Sequence, residues 1–120
     1  MVPDISQSRR YIEDALQYAN GTHTYEDVVE GVNAGTLQFW PGNGAAVVTE
    51  ILETPRKKIL HFFLAGGNLT ALERMVPDIL AWGREQGCDF TTLVGRKGWE
   101  RTFISRLGFE PKLVLFEAPL

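Results

Sequence analysis

The run "KILHFFLA" at residues 58–65 is apolar at almost every position, and Gly66-Gly67 and a segment of helical spacing follow it at once. A strand with one wet face alternates apolar and polar residues. A near-continuous apolar strand is covered on both faces. A chain built around this run therefore needs a sheet with helices on each side of it. The glycine corner raises the functional question. Such a corner between a central strand and a helix can be a cradle for a phosphate-bearing ligand, or only a tight bend.

The segments around this strand can be read from their periods. Ile5, Ile12, Ala15, Leu16 and Ala19 recur at helical spacing over residues 4–19, with Asp4 placed to cap the start and Asn20-Gly21 to stop the helix. A second helix begins near Thr24, where Thr24 and Asp27 have the spacing of a capping box. Val28, Val29 and Val32 give its apolar face, and Gly35 suits its left-handed end. The period then shortens. "TLQFW" (36–40), "AAVVTEILE" (45–53) and the 58–65 run read as three strands with short links, an antiparallel meander. Asn68 caps a helix carrying Leu69, Leu72, Met75, Val76, Ile79, Leu80 and Trp82. Pro77 inside it costs roughly 3 kcal/mol, so a kink or two stacked segments are expected. "DFTTLV" (89–94) reads as a strand, "KGWERTFISRL" (97–107) as a helix ended by Gly108, and "PKLVLFEA" (111–118) as a final strand. The order is α-α-β-β-β-α-β-α-β, an α/β (α+β) chain with a mixed sheet and helices on both faces.

Length and charge limit the function classes. At 120 residues and 44% hydrophobic, the chain is expected to form one domain over residues 1–120 that needs no disulfide or metal to fold. A net charge of −3 argues against a nucleic-acid-binding surface. The one cysteine, Cys88, reads as a small core residue and fits a reducing compartment. No apolar run spans a bilayer, and "MVPDISQSRR" has no signal-peptide core, so no membrane association and a cytoplasmic location are expected. No His, Cys or carboxylate pair has metal-ligand spacing, and no metal site is expected.

The element order, together with "AWGREQGCDFTTLVG" and "ISRLGFEP", resembles the Gcn5-related N-acetyltransferase (GNAT) superfamily from its first helix onward, without the usual first strand. The resemblance implies that acetyl-CoA or another acyl-CoA, if the chain is active, lies where the fourth and fifth family strands splay. Its pyrophosphate would rest on the turn Gly66, Gly67, Asn68, Leu69 and Thr70. The family's turn reads Arg/Gln-x-x-Gly-x-Gly/Ala. Here the glycines are adjacent and no Arg or Gln leads them. The family's general-acid Tyr, four residues before the Gly of "G-F", is Ile104 here, and Tyr11, Tyr18 and Tyr25 all lie far away in sequence. Glu50, Glu53 and His61 are candidates for the general base. Each also has an ordinary reading: the two glutamates as solvent-facing strand residues, the histidine as a hydrogen-bonded core residue.

Arg96, Lys97, Arg101 and Arg106 with Trp99 form a basic cluster that could hold an anion or simply be a solvated helix face. Arg56, Lys57 and Lys58 read as charges that keep a hairpin soluble. The strings "FLAGG" and "GRKGWER" resemble GNAT-like proteins of tailed bacteriophages, which implies a host-cytoplasmic or virion location. The departures at the turn and the acid position weigh toward a degenerate acyl-CoA site on a non-catalytic component with a protein partner or larger assembly. The alternative is an active N-acetyltransferase that passes an acyl group from acyl-CoA to an amine. The sheet edge left by the absent first strand can pair with another chain.

Overall fold

The computed structural model describes residues 4–96 and 98–120. A 3₁₀ turn, Ile5–Ser8, leads into α1 (Arg9–Leu16), followed by α2 (Tyr25–Ala34), β1 (Gln38–Pro41), β2 (Ala45–Glu53), β3 (Lys58–Gly67), α3 (Leu69–Glu85) and β4 (Phe90–Leu93). The sheet order is β1-β2-β3-β4. The first three strands are antiparallel, and α3 carries the chain across so that β4 lies parallel to β3. This is the mixed sheet expected from the sequence, with the 58–65 run at its centre.

The caps form as their residue types require. Asp4 accepts from the Ser6 N–H at 3.0 Å. Thr24 Oγ1 accepts from the Asp27 N–H at 3.2 Å, while Asp27 Oδ2 accepts from the Thr24 N–H at 2.9 Å, a complete capping box. Those bonds hold the Asp27 carboxyl below the usual carboxylate range. Asn68 Oδ1 accepts from Ala71 N–H at 3.1 Å and starts α3. The helix then runs through Pro77 as one segment, not two, because Leu72, Val76 and Ile79 bury its apolar stripe along its whole length.

Two cores sandwich the sheet. Leu60, Phe62, Val47 and Ala45 pack with α3 on one face. Leu64, Val48 and Ala46 pack with Ile12 of α1 and Val28 of α2 on the other. The two sets alternate wrongly for an unbroken β3, and the register explains why. Thr49 pairs with Phe62 and Val48 pairs with Leu64, so Phe63 is an extra, unpaired residue. This β-bulge bends the strand and switches its faces.

The C-terminal quarter departs from the sequence reading. The expected helix over 97–107 is two 3₁₀ turns, Trp99–Arg101 and Ser105–Leu107. Gly98 is left-handed at φ 95°, Thr102 is extended, and the Thr102 hydroxyl donates to the Trp99 carbonyl at 2.6 Å, a side-chain bond that competes with helical continuation. The expected strand over 111–118 is not formed. A strand exists only through its pairing. This segment instead lies against the loop after α1, where Asn20 Nδ2 donates to Glu117 Oε1.

Gly66 is where α1 meets the sheet. A Cβ there would run into the carbonyl oxygen of Tyr11. We therefore expect Gly66→Ala to cost about 1–3 kcal/mol in urea unfolding. An unchanged midpoint would show that α1 is not seated on this corner.

Candidate functional site

β3 and β4 are paired from Ile59↔Phe90 to Phe62↔Leu93 and no further. β4 ends there, while β3 continues from Phe63 to Gly67 beside β2 alone. The parting begins at the bulge. A cavity of about 280 Å³ fills the opening, walled by Phe63 and Ala65 of β3, Val94 and Arg96 after β4, and Tyr18 and Asn20 after α1. A second cavity of about 260 Å³ shares Tyr18, Ala65, Leu72, Arg96 and Trp99 with it and reaches Gly66, Gly67 and Leu69. Together they make one cleft from the centre of the sheet to the start of α3.

The residues expected at the turn divide into three groups. Gly66, Gly67 and Leu69 line the cleft. Asn68 is committed to structure: its side chain caps α3 and its N–H donates to Gly44 O at 2.9 Å. Thr70 is exposed and lines neither cavity. The glycines have packing duties as well. Gly66 accommodates Tyr11, and Gly67, at φ 109°, lies where a Cβ would come within 2.6 Å of Ala45 Cα. Ala71 N–H is taken by the Asn68 cap, which leaves the N–H groups of Leu69 and Thr70 as the first-turn donors without a partner among the described residues.

The basic cluster disperses. Arg106 pairs with Glu73 of α3 at 2.8 Å, Arg101 is exposed, and Lys97 lies outside the described residues. Gly98 starts a 3₁₀ turn, Trp99–Arg101, in place of the expected helix over 97–107. Arg96 alone of the three described cations lines the cleft. Its guanidinium stacks 4.1 Å from the Tyr18 ring and 5.7 Å from the Trp99 ring, with no ion-pair partner among the described residues. It therefore stands beside the glycine turn as a cation, although it comes from a different element than the family's turn residue.

His61 also lines the cleft. Its Nδ1 is 2.8 Å from Thr92 Oγ1, and it sits directly across from Glu50 in the β2–β3 ladder. Burial pushes its pKa below the ordinary histidine value, with the Glu50 charge acting in the opposite direction. The imidazole is therefore neutral at pH 7 and can accept a proton. Glu50, half-buried, shares that face but does not line the cavity. Glu53 is exposed at the far end of the hairpin, 4.0 Å from Lys58, and is remote from the cleft.

Ile104 is buried and forms part of the apolar wall. The sequence reading missed two residues here. Tyr18, distant from Ile104 in sequence, lines both cavities. His23 packs edge-on against Phe63, the bulged residue, at 4.7 Å between ring centroids. No local pattern pointed to that contact. Cys88 is half-buried, and its burial pushes the thiol up. Among the described residues no three His, Cys, Asp or Glu side chains gather to hold a metal ion, and no helix is long and apolar enough to cross a membrane.

No family model matches the sequence, and no curated protein does. Solved structures do match. A tetramutant of the BH1408 protein from Bacillus halodurans superposes with a TM-score of 0.73 at 16% identity, over 98% of this chain and 94% of that one. Glucosamine-6-phosphate N-acetyltransferase from Arabidopsis thaliana gives 0.72 at 13% identity, over 99% and 95%. An aminoglycoside acetyltransferase, meta-AAC0020 from an uncultured soil metagenomic sample, gives 0.71 at 13% identity, over 97% and 88%. At these identities the likeness establishes the fold, which is GNAT-like.

The state of His61 has a thermodynamic signature. A histidine whose folded pKa lies below its unfolded value binds fewer protons folded than unfolded, so stability falls as pH drops through the unfolded value of about 6.5. We expect the melting temperature to decrease between pH 7.5 and 5.5, and His61→Gln to flatten that slope. An equal slope in the variant would show that His61 is not desolvated.

Proposed function

We propose that this GNAT-like chain binds an acyl-CoA-type thioester in the β3–β4 cleft and transfers the acyl group directly to an amine. The observation that carries the reading is the parting of β3 and β4 at the Phe63 bulge, where His61, Tyr18 and Arg96 line a cleft that reaches Leu69 at the start of α3. The residues fit such a ligand: the N–H groups of Leu69 and Thr70 with Arg96 would hold phosphate oxygens, and the apolar wall of Phe63, Ala65 and Ile104 would take the pantetheine and acyl portions. When bound, the thioester supplies an activated acyl carbon.

The chain's own groups then have definite tasks. His61 accepts the proton that the attacking amine loses, directly or through one water, and Glu50 across the ladder stabilises the resulting imidazolium. The Tyr18 hydroxyl donates a proton to the departing thiolate, the task an alkyl group at Ile104 cannot perform. The amine nitrogen–carbonyl bond forms, the carbon–sulfur bond breaks, and no covalent enzyme intermediate is needed. A second reading, a non-catalytic component that binds a protein partner, is favoured by the exposed apolar segment Leu113–Phe116.

Calorimetric titration with acetyl-CoA tests the reading. We expect saturable micromolar binding. Leu69→Pro, which deletes one donor at a position where proline suits a helix, and Arg96→Ala should each weaken binding by about tenfold, or ~1.4 kcal/mol. His61→Gln and Tyr18→Phe should keep binding while lowering turnover of an amine acceptor by about 10²-fold or more. An absence of binding at millimolar cofactor would refute the proposal.

A further inference from the structure

The first of the two cavities limits which amine can enter it. Its walls are mostly apolar, and five aromatic residues are among them: Phe62, Phe63, Trp99, Phe103 and Phe109. Phe109 already stands edge-on to Phe62, at 6.0 Å between ring centroids. Rings in such walls offer edge-to-face places to a further ring. The space suffices for one: the cavity measures about 280 Å³, and an apolar cavity of about 150 Å³ takes up benzene.

The charges around the cavity run against a cation. Among the described side chains no Asp or Glu lines it. Glu50 lies across the ladder from His61 without reaching the cavity, Asp14 lines the second cavity at the Gly66-Gly67 end, and Glu53 is remote beside Lys58. The fixed charge that does line it is a cation, Arg96. An alkylamine is an ammonium at neutral pH. Entry would strip its water, give it no carboxylate in return and set it near a like charge. His61 offers no relief, because a histidine held below its ordinary pKa by burial is a weak base for an ammonium proton. An aromatic amine meets none of these costs. Its lone pair is delocalised into the ring, so it is uncharged at neutral pH, and its body is apolar.

We propose that the first cavity takes an uncharged aromatic amine as the acyl acceptor and discriminates against alkylammonium ions. The chemistry rests on the acyl-transfer reading above. The amine nitrogen bonds to the acyl carbon as the carbon–sulfur bond breaks. One amine proton passes to His61, the thiolate takes one from Tyr18, and the products are an anilide and a free thiol. His61 then has to remove a proton only from the nitrogen that has already attacked, a task suited to a weak base.

The test uses two isomers, para-toluidine and benzylamine, which share one formula and differ at neutral pH in charge. Each is titrated into the isotope-labelled full chain at pH 7.5, without cofactor, and a separate sample is titrated with coenzyme A. We expect para-toluidine to shift the Phe63, Ala65 and Val94 amides saturably, and benzylamine to need at least about tenfold more for the same shifts. With acetyl-CoA present, para-toluidine should be the faster acceptor. Val94→Asp places a carboxylate at the rim, at a position 71% exposed where the fold is not at risk. It should narrow the gap by improving benzylamine binding. Equal or tighter binding of benzylamine by the wild type overturns the proposal, as does a Val94→Asp chain with the wild-type preference, or no shift from either isomer. If coenzyme A shifts the cleft in any of those cases, the acyl-transfer reading stands without this one. Shifts from para-toluidine but none from coenzyme A would overturn acyl transfer and support the cavity's preference for a neutral aromatic amine.

Discussion

The site rests on one backbone event, the extra residue at Phe63. Before it, β3 is held on both sides, by β2 and by the parallel β4. After it, the faces of the strand switch, β4 ends, and β3 continues with one neighbour only. A bulge bends and twists the strand that carries it, and here the bend coincides with the end of the parallel ladder. The cleft is thus a consequence of pairing geometry, set by which residues of β2 and β3 face each other. The side chains that line it are arranged around an opening the backbone has already made.

The opening would close or collapse without α1. That helix reaches the sheet through the absence of a side chain at Gly66, where the Tyr11 carbonyl takes the space. The same approach brings Tyr18, beyond the helix end, to the rim, where its ring receives the Arg96 guanidinium at 4.1 Å. Arg96 is thereby held at the mouth with no ion-pair partner among the described residues, and a stacked guanidinium keeps its N–H edges available to an anion. The adjacent glycines thus answer to two demands. They permit the close contact with α1 and β2, and they leave the first turn of α3 open toward the cleft. The corner is both a tight bend and one wall of the cleft.

The central sheet, α2 and α3 were legible in the sequence because each depends on a local period and a local cap: the continuous apolar run at 58–65, the Thr24–Asp27 pair, Asn68 ahead of α3. The candidate site was legible only in part. His61 and the glycine turn announced themselves. Tyr18 did not, since its approach to the cleft is made by a tertiary contact of α1 with Gly66 and by the loop that follows, and neither did the packing of His23 on Phe63. The segment from Gly98 to Leu107 has helical spacing, but spacing takes no account of a left-handed glycine at its start or a threonine hydroxyl bonding the carbonyl three residues back. Residues 111–118 have the composition of a strand, and composition says nothing about where its partner is.

The central claim is that the parting of β3 and β4 forms a binding site for a thioester carrying a phosphate-rich tail. Backbone amide chemical shifts in an isotope-labelled sample titrated with coenzyme A test it most directly, because they read the site residue by residue and do not require turnover. The account predicts saturable shifts at Phe63–Thr70, at Val94–Arg96 and around Tyr18, with the Leu69 and Thr70 amides among the largest. Shifts confined to the β1–β2 side of the sheet, or no shifts at millimolar ligand, would contradict it.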